Sequence, residues 1–261
     1  MQVGVSTSCY YPCPTEEALD LLLASGVRML EVFFNTHSEL DPHYIGELRR
    51  RIDAAGAKVA AIHPYTSGME GLFFFTDYDR RFADFREYYK RYYEAAARLG
   101  AGLVVFHGAF RLQNITVESY ADRMEMLDRD ASAFGVALAQ ENVERNLSRD
   151  PAFLRRLREL RPSQKFVLDF KQAVRAQADV FEMIRAMAGG IAHLHLSDHD
   201  SCHDCLPPGE GCTDFARVLR CLRDTGFDGT AVVELYRQDF AEQAQLDRSL
   251  LLLNRLLASV E

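Results

Sequence analysis

The chain has 261 residues, 48% hydrophobic and 26% charged, an ordinary globular balance that fills a large core and excludes a disordered or fibrous chain. Asp and Glu outnumber Lys and Arg by 38 to 30, a net charge of -8, so the surface repels phosphate backbones and no nucleic acid partner is expected. No apolar run approaches the roughly 20 residues that cross a bilayer. The start, Met1-Gln2-Val3-Gly4-Val5-Ser6, lacks the basic region and cleavage site of an export signal, so the expectation is a cytoplasmic protein with no membrane partner.

In chain order the pattern is a short apolar or β-branched run, a polar or glycine turn and an amphipathic helical stretch, repeated. The first strand is predicted at residues 3–9, followed by a helix at Thr15–Ala24 whose start is marked by Thr15 and Glu16-Glu17. Further strands are predicted at 28–34, 58–63, 103–107, 136–141, 166–170, 191–196 and 230–235. A helix at 84–99 puts Tyr88, Tyr89, Tyr92, Ala96 and Leu99 near one face, as for packing on a sheet. Glycines such as Gly26, Gly56, Gly100 and Gly226 fit helix ends that feed buried strands. Eight βα units in series, without a linker, in a chain near the roughly 250 residues of one such domain predict an α/β fold, a (βα)8 TIM barrel forming a single domain over 1–261. The alternative is an open doubly wound sheet, but no G-x-G-x-x-G loop follows the first strand. Two long connections, 64–80 and 197–213, follow strands and so face the active side; Phe73-Phe74-Phe75 makes the first read as a packed lid.

Polar residues collect at the carboxyl ends of the predicted strands: Glu31, His63, His107, Glu141, Asp169, His195 with Asp198, and Glu234. Strand after strand ending on an acid–base or metal-ligand residue is what a barrel active site requires. Carboxylates from the fifth, sixth and eighth strands meeting at one mouth would repel each other or take up protons, and a cation resolves this. Lys171 follows Asp169 and is expected to alternate away from it. Three oxygens and one imidazole suit one divalent ion, Mn2+, Mg2+ or Co2+, with Zn2+ as a further choice.

With these residues in place, the chain resembles the xylose-isomerase-like barrels, the family of sugar phosphate isomerases and epimerases, ketose 3-epimerases and endonuclease IV. The resemblance is carried by Glu141-Asn142-Val143, Leu168-Asp169-Phe170, the run His193-Leu194-His195-Leu196-Ser197-Asp198, Pro208-Gly209-Glu210-Gly211 and Val233-Glu234. It implies that Glu141, Asp169, His195 and Glu234 hold the metal and that Glu141 and Glu234 also move protons. The implied activity is a sugar isomerase or epimerase, abstracting and returning a proton through a metal-stabilised enediolate. The implied partner is a small-molecule carbohydrate; a homo-oligomer is left open.

Where ketose 3-epimerases hold substrate hydroxyls with Glu, His and Arg, this chain has Leu147, Gln172 and Ser201. The general chemistry is therefore expected to persist better than the substrate. His63, His107, Gln172 and Glu31 are read as substrate contacts, and His193 as a structural residue pointing away from His195. Alternatives are an inosose dehydratase-like lyase, a non-catalytic sugar-binding barrel, or an endonuclease IV-like phosphodiesterase with further metals at His63 and His107. The acidic surface and Gln172 argue against the last. Cys202-His203-Asp204-Cys205 and Cys212 could bind zinc or respond to oxidation; reduced loop thiols are the expectation.

Overall fold

The structure, a computed structural model, describes residues 2–260. Eight parallel strands close into a barrel in sequence order: β1 (Gln2–Ser6), β2 (Met29–Phe33), β3 (Lys58–His63), β4 (Leu103–Phe106), β5 (Ala137–Glu141), β6 (Lys165–Asp169), β7 (Ile191–Leu196) and β8 (Thr230–Val233). β1 pairs with both β2 and β8, which completes the ring and excludes the open sheet. The outer layer is α1 (Thr15–Ala24), α2 (Pro42–Ala54), α3 (Glu70–Phe74), α4 (Asp79–Leu99), α5 (Val117–Ser132), α6 (Pro151–Leu160), α7 (Phe170–Arg175), α8 (Val180–Met187), α9 (Phe215–Asp224) and α10 (Gln243–Val260).

The predicted strands fall on the observed ones, with the largest error at the first. β1 stops at Ser6, and Thr7–Tyr10 forms a 3-10 turn. The helix predicted at 84–99 begins five residues earlier, at Asp79. Its tyrosine face packs inward as expected: Tyr89, Tyr92 and Tyr93 are buried between helix and sheet. Gly4 is needed where β1 crowds β2, because a Cβ there would lie 1.9 Å from the Met29 carbonyl oxygen.

The connection after β3 is pinned rather than loose. Phe74 meets Tyr89 at 4.8 Å edge-to-face, and Phe75 stacks on Tyr120 at 4.3 Å. These rings anchor α3 in the core, while Ser67 and Gly68 ahead of it line the cavity described below. The segment is a wall of the mouth. The connection after β7 is organised by the buried Asp198 carboxylate, which accepts hydrogen bonds from the backbone of His199, Gly209, Gly211 and Thr213. That explains the Asp198 and Pro208-Gly209-Glu210-Gly211 pattern physically: a side chain in place of Gly211 would put a Cβ 2.5 Å from Asp198 Oδ1.

All six cysteines are free, and none belongs to a metal-type group among the described residues. No helix of the described residues is long and apolar enough to cross a membrane.

Candidate active site

Side chains two apart in a strand share a face, so each strand delivers its polar end by counting from its core residue. Ala61, Val105, Ala139 and Val167 pack against one another as a fully buried cluster. Two positions further along are His63, His107, Glu141 and Asp169, set above that apolar floor. Burial is nearly complete: Glu141 is 2% exposed, and Asp169 and His195 are each 1% exposed.

Glu141, Asp169 and His195 each bring one donor atom within 4.8 Å of the others. His195 Nδ1 lies 3.5 Å from Asp169 Oδ2, 3.8 Å from Glu141 Oε1 and 3.3 Å from Glu234 Oε2. None of these contacts is a hydrogen bond, for His195 Nδ1 and Asp169 Oδ2 are buried without a hydrogen-bond partner. Buried polar atoms are ordinarily paired. Acidic and imidazole atoms left facing one another fit a divalent ion with N and O ligands. A second group adjoins the first: His107 Nε2 is 2.9 Å from Glu141 Oε2 and 3.1 Å from His63 Nε2.

Lys171 does not point away, as strand alternation predicted. β6 ends at Asp169, which caps α7 by accepting from the Gln172 backbone at 2.8 Å, so helical geometry governs Lys171. Its Nζ returns to the carboxylates, 2.8 Å from Glu234 Oε2 and 3.4 Å from Asp169 Oδ2. The mouth therefore contains an internal cation.

Burial opposes ionisation of Glu141 and Glu234, yet His107 holds the first well below the usual carboxylate range, and His195 with Lys171 holds the second there. Burial pushes Asp169 up despite Lys171. Glu234 and Glu31 raise His195 well above its ordinary value against the opposing effect of burial.

A cavity of about 410 Å³ opens above this cluster, lined by Glu141, Glu234, His63, His107, Gln172 and Lys171, with Phe33 and Tyr65 as apolar walls. Asp169 and His195 lie beneath the lining. Glu31 does not reach it, contrary to its reading as a substrate contact. Glu31 pairs in register with Ala61, and Phe33 is the β2 residue level with His63. His193 does not point away from His195: two residues apart on β7, both meet Glu31 Oε2, at 3.4 and 2.9 Å.

Several supports escaped the sequence reading. Glu70 on α3 is fully buried and accepts from the Tyr89 hydroxyl and from the backbone of His107 at 2.6 Å and Gly108 at 2.7 Å. Asn142 exchanges two hydrogen bonds with the Asp169 backbone. Asn146 donates to the His107 carbonyl at 2.7 Å. Gly108 takes φ +80°, and a Cβ there would strike the Tyr120 hydroxyl at 1.9 Å. The sequence signals were weak: Glu70 sits in a connection, and Asn142 is marked only by following a predicted ligand.

Fold and mouth define a (βα)8 barrel carrying a buried carboxylate–histidine centre of metal-binding type. The chain belongs to the xylose isomerase-like TIM barrel family, whose model matches residues 19–256. It is 29% identical over 171 residues to the uncharacterized protein ML2432 of Mycobacterium leprae (strain TN), a match covering 56% of this chain and 60% of that protein. A D-tagatose 3-epimerase-like protein superposes with a TM-score of 0.79 at 20% identity, covering 100% of this chain and 98% of the other. An IOLI protein with a zinc atom superposes with a TM-score of 0.73 at 18% identity, covering 100% and 98%. At these identities the solved structures establish the shared fold.

Proposed function

We propose that the protein is a divalent-metal-dependent sugar isomerase or epimerase, which removes and returns a carbon-bound proton of a small carbohydrate. The observation that carries this reading is the pair of buried atoms without hydrogen bonds, His195 Nδ1 and Asp169 Oδ2, 3.5 Å apart with Glu141 Oε1 and Glu234 Oε2 beside them. Glu141, Asp169, His195 and Glu234 are the residues that would hold the ion. Bound there, Mn2+, Mg2+, Co2+ or Zn2+ supplies Lewis acidity toward a substrate carbonyl and its neighbouring hydroxyl.

Of the four ligands, Glu141 and Glu234 alone line the cavity, so they are the pair able to touch a substrate carbon. One carboxylate accepts a carbon-bound proton, and the other, ionised at rest and protonated from solvent during turnover, returns one to the opposite face, inverting the centre. If one glutamate does both, the proton moves between carbons and the outcome is isomerisation. His63, His107 and Gln172 hold substrate hydroxyls from the cavity wall. Gln172 is itself fixed, its Oε1 accepting from the Glu144 backbone at 3.0 Å. Phe33 and Tyr65 cover apolar faces of the sugar. The likeness to a structure titled as D-tagatose 3-epimerase-like supports the epimerase reading, and the zinc in the IOLI structure supports a metal.

The test is a panel of ketoses, aldoses and polyols incubated with the protein in deuterated water. The expected result is carbon-bound deuterium in one substrate class, abolished by chelator and restored by Mn2+ or Co2+. No exchange with any sugar by metal-loaded protein would refute the reading. Loss of water from the product would indicate an inosose dehydratase-like lyase instead. A multi-metal phosphodiesterase is favoured by the further groups of metal-ligand type among the described residues, His63, His107 and Glu141 beside the site and Glu31, His193 and His195 below it; more than one bound ion per chain together with cleavage of abasic DNA would mark it.

A further inference from the structure

The floor under the cavity is apolar where β3 to β6 supply it and polar where β2 and β7 do, and proton transfer makes no use of the polar part. Glu31 is fully buried and is not part of the lining of the cavity above the site. Placing a carboxylate in such a floor is unfavourable unless it is partnered, and each of its oxygens has a partner. Glu31 Oε1 accepts from Ser6 Oγ at 3.0 Å. Glu31 Oε2 lies 2.9 Å from His195 Nε2 and 3.4 Å from His193 Nε2. His193 Nδ1 is in turn 2.7 Å from Thr230 Oγ1. Four strands, β1, β2, β7 and β8, thus meet in one chain of polar contacts below His195.

A carboxylate offers acceptors, so the imidazole nitrogen facing it carries the hydrogen. That nitrogen is Nε2. The other, Nδ1, faces Glu141, Asp169 and Glu234, and with an ion held among those carboxylates it would be free to offer its lone pair. The opposite tautomer would aim a hydrogen at the point where an ion needs a donor pair. We propose that Glu31 is a positioning residue that fixes the ring orientation and tautomer of His195, with Ser6 holding Glu31 in place from the opposite side. This rests on the reading of the mouth as a metal centre, and it names the residue that makes His195 a competent ligand.

Zinc-loaded protein labelled with 15N tests it without recourse to activity. Long-range proton–nitrogen correlation, with His195 assigned by comparison with His195→Gln, is expected to show the hydrogen on Nε2 and zinc on Nδ1. Glu31→Gln keeps an acceptor and is expected to fold and bind Zn2+ roughly 10- to 100-fold more weakly than wild type in a competition titration. Glu31→Ala is expected to lose more, and Ser6→Ala less, in the same direction. A hydrogen on His195 Nδ1 in the wild type overturns the proposal, as does a folded Glu31→Gln that binds zinc as tightly as wild type. Should Glu31→Gln fail to fold, the wild-type spectrum decides. A wild type that binds no zinc overturns the metal reading and this proposal together, an outcome distinct from equal binding by wild type and variant, which overturns the proposal alone.

Discussion

Two sets of buried carboxylates occupy one barrel and are treated in opposite ways. Glu70 beside the mouth has both oxygens occupied, by Tyr89 and by two backbone N–H groups, and Glu31 below it is engaged through Ser6 and His195. At the mouth, Asp169 keeps Oδ2 without a hydrogen bond, and Glu141 Oε2 has the His107 imidazole beside it at 2.9 Å in place of a fixed backbone or hydroxyl donor. All four are buried to the same degree, so burial alone does not separate them. Hydrogen-bond accounting does: a buried oxygen fully partnered by the protein builds the fold, and one left open is held for something else.

The largest expected effects come from the open set. Glu141→Gln and Glu234→Gln should lower deuterium exchange by about 10²- to 10⁴-fold, with unfolding midpoints near wild type; a large stability loss with exchange intact would erase the distinction. Lys171→Met joins the two sets, since it removes the cation paired with Glu234 and Asp169. In chelator it should cost about 3–5 kcal/mol of stability, as for breaking a buried pair. With Mn2+ present the loss should shrink, because the ion takes over the neutralisation. Equal losses in denaturant titrations with and without Mn2+ would contradict that.

Within the closed set, Glu70→Ala strands three donors and should cost about 3 kcal/mol or more, at about 1–3 kcal/mol per unpaired group. Glu70→Gln can keep an acceptor toward the two backbone groups and donate to Tyr89, and should cost about 1 kcal/mol. Tyr89→Phe removes a single hydrogen bond and should cost about 1 kcal/mol, with exchange unchanged. Exchange that collapses in Tyr89→Phe while stability holds would move Glu70 into the open set.

The strand count and six of the seven strand-end polar residues followed from period-two patterning, because the barrel repeats one simple unit and each strand carries its own signal. Glu31 shows where that stops. Whether a polar residue reaches the cavity depends on the register of its strand against the next, and the pairing of Glu31 with Ala61 is a long-range fact. Lys171 shows a second limit: alternation holds only while the strand lasts, and β6 gives way to α7 one residue before it matters. His193 was within reach of the pattern, since residues two apart share a face. Glu70 carried no periodic signal, and its partners lie 19 to 38 residues away.

The most direct measurement is the binding of Mn2+ or Co2+ to wild type and Asp169→Asn by equilibrium dialysis under conditions where both are folded. Asp169 lies beneath the cavity lining, so substrate contact does not confuse the result. One ion per chain in wild type, lost or greatly weakened in Asp169→Asn, is the outcome predicted here. No ion in wild type, or undiminished binding in Asp169→Asn, would mean that the open carboxylates serve something other than a metal.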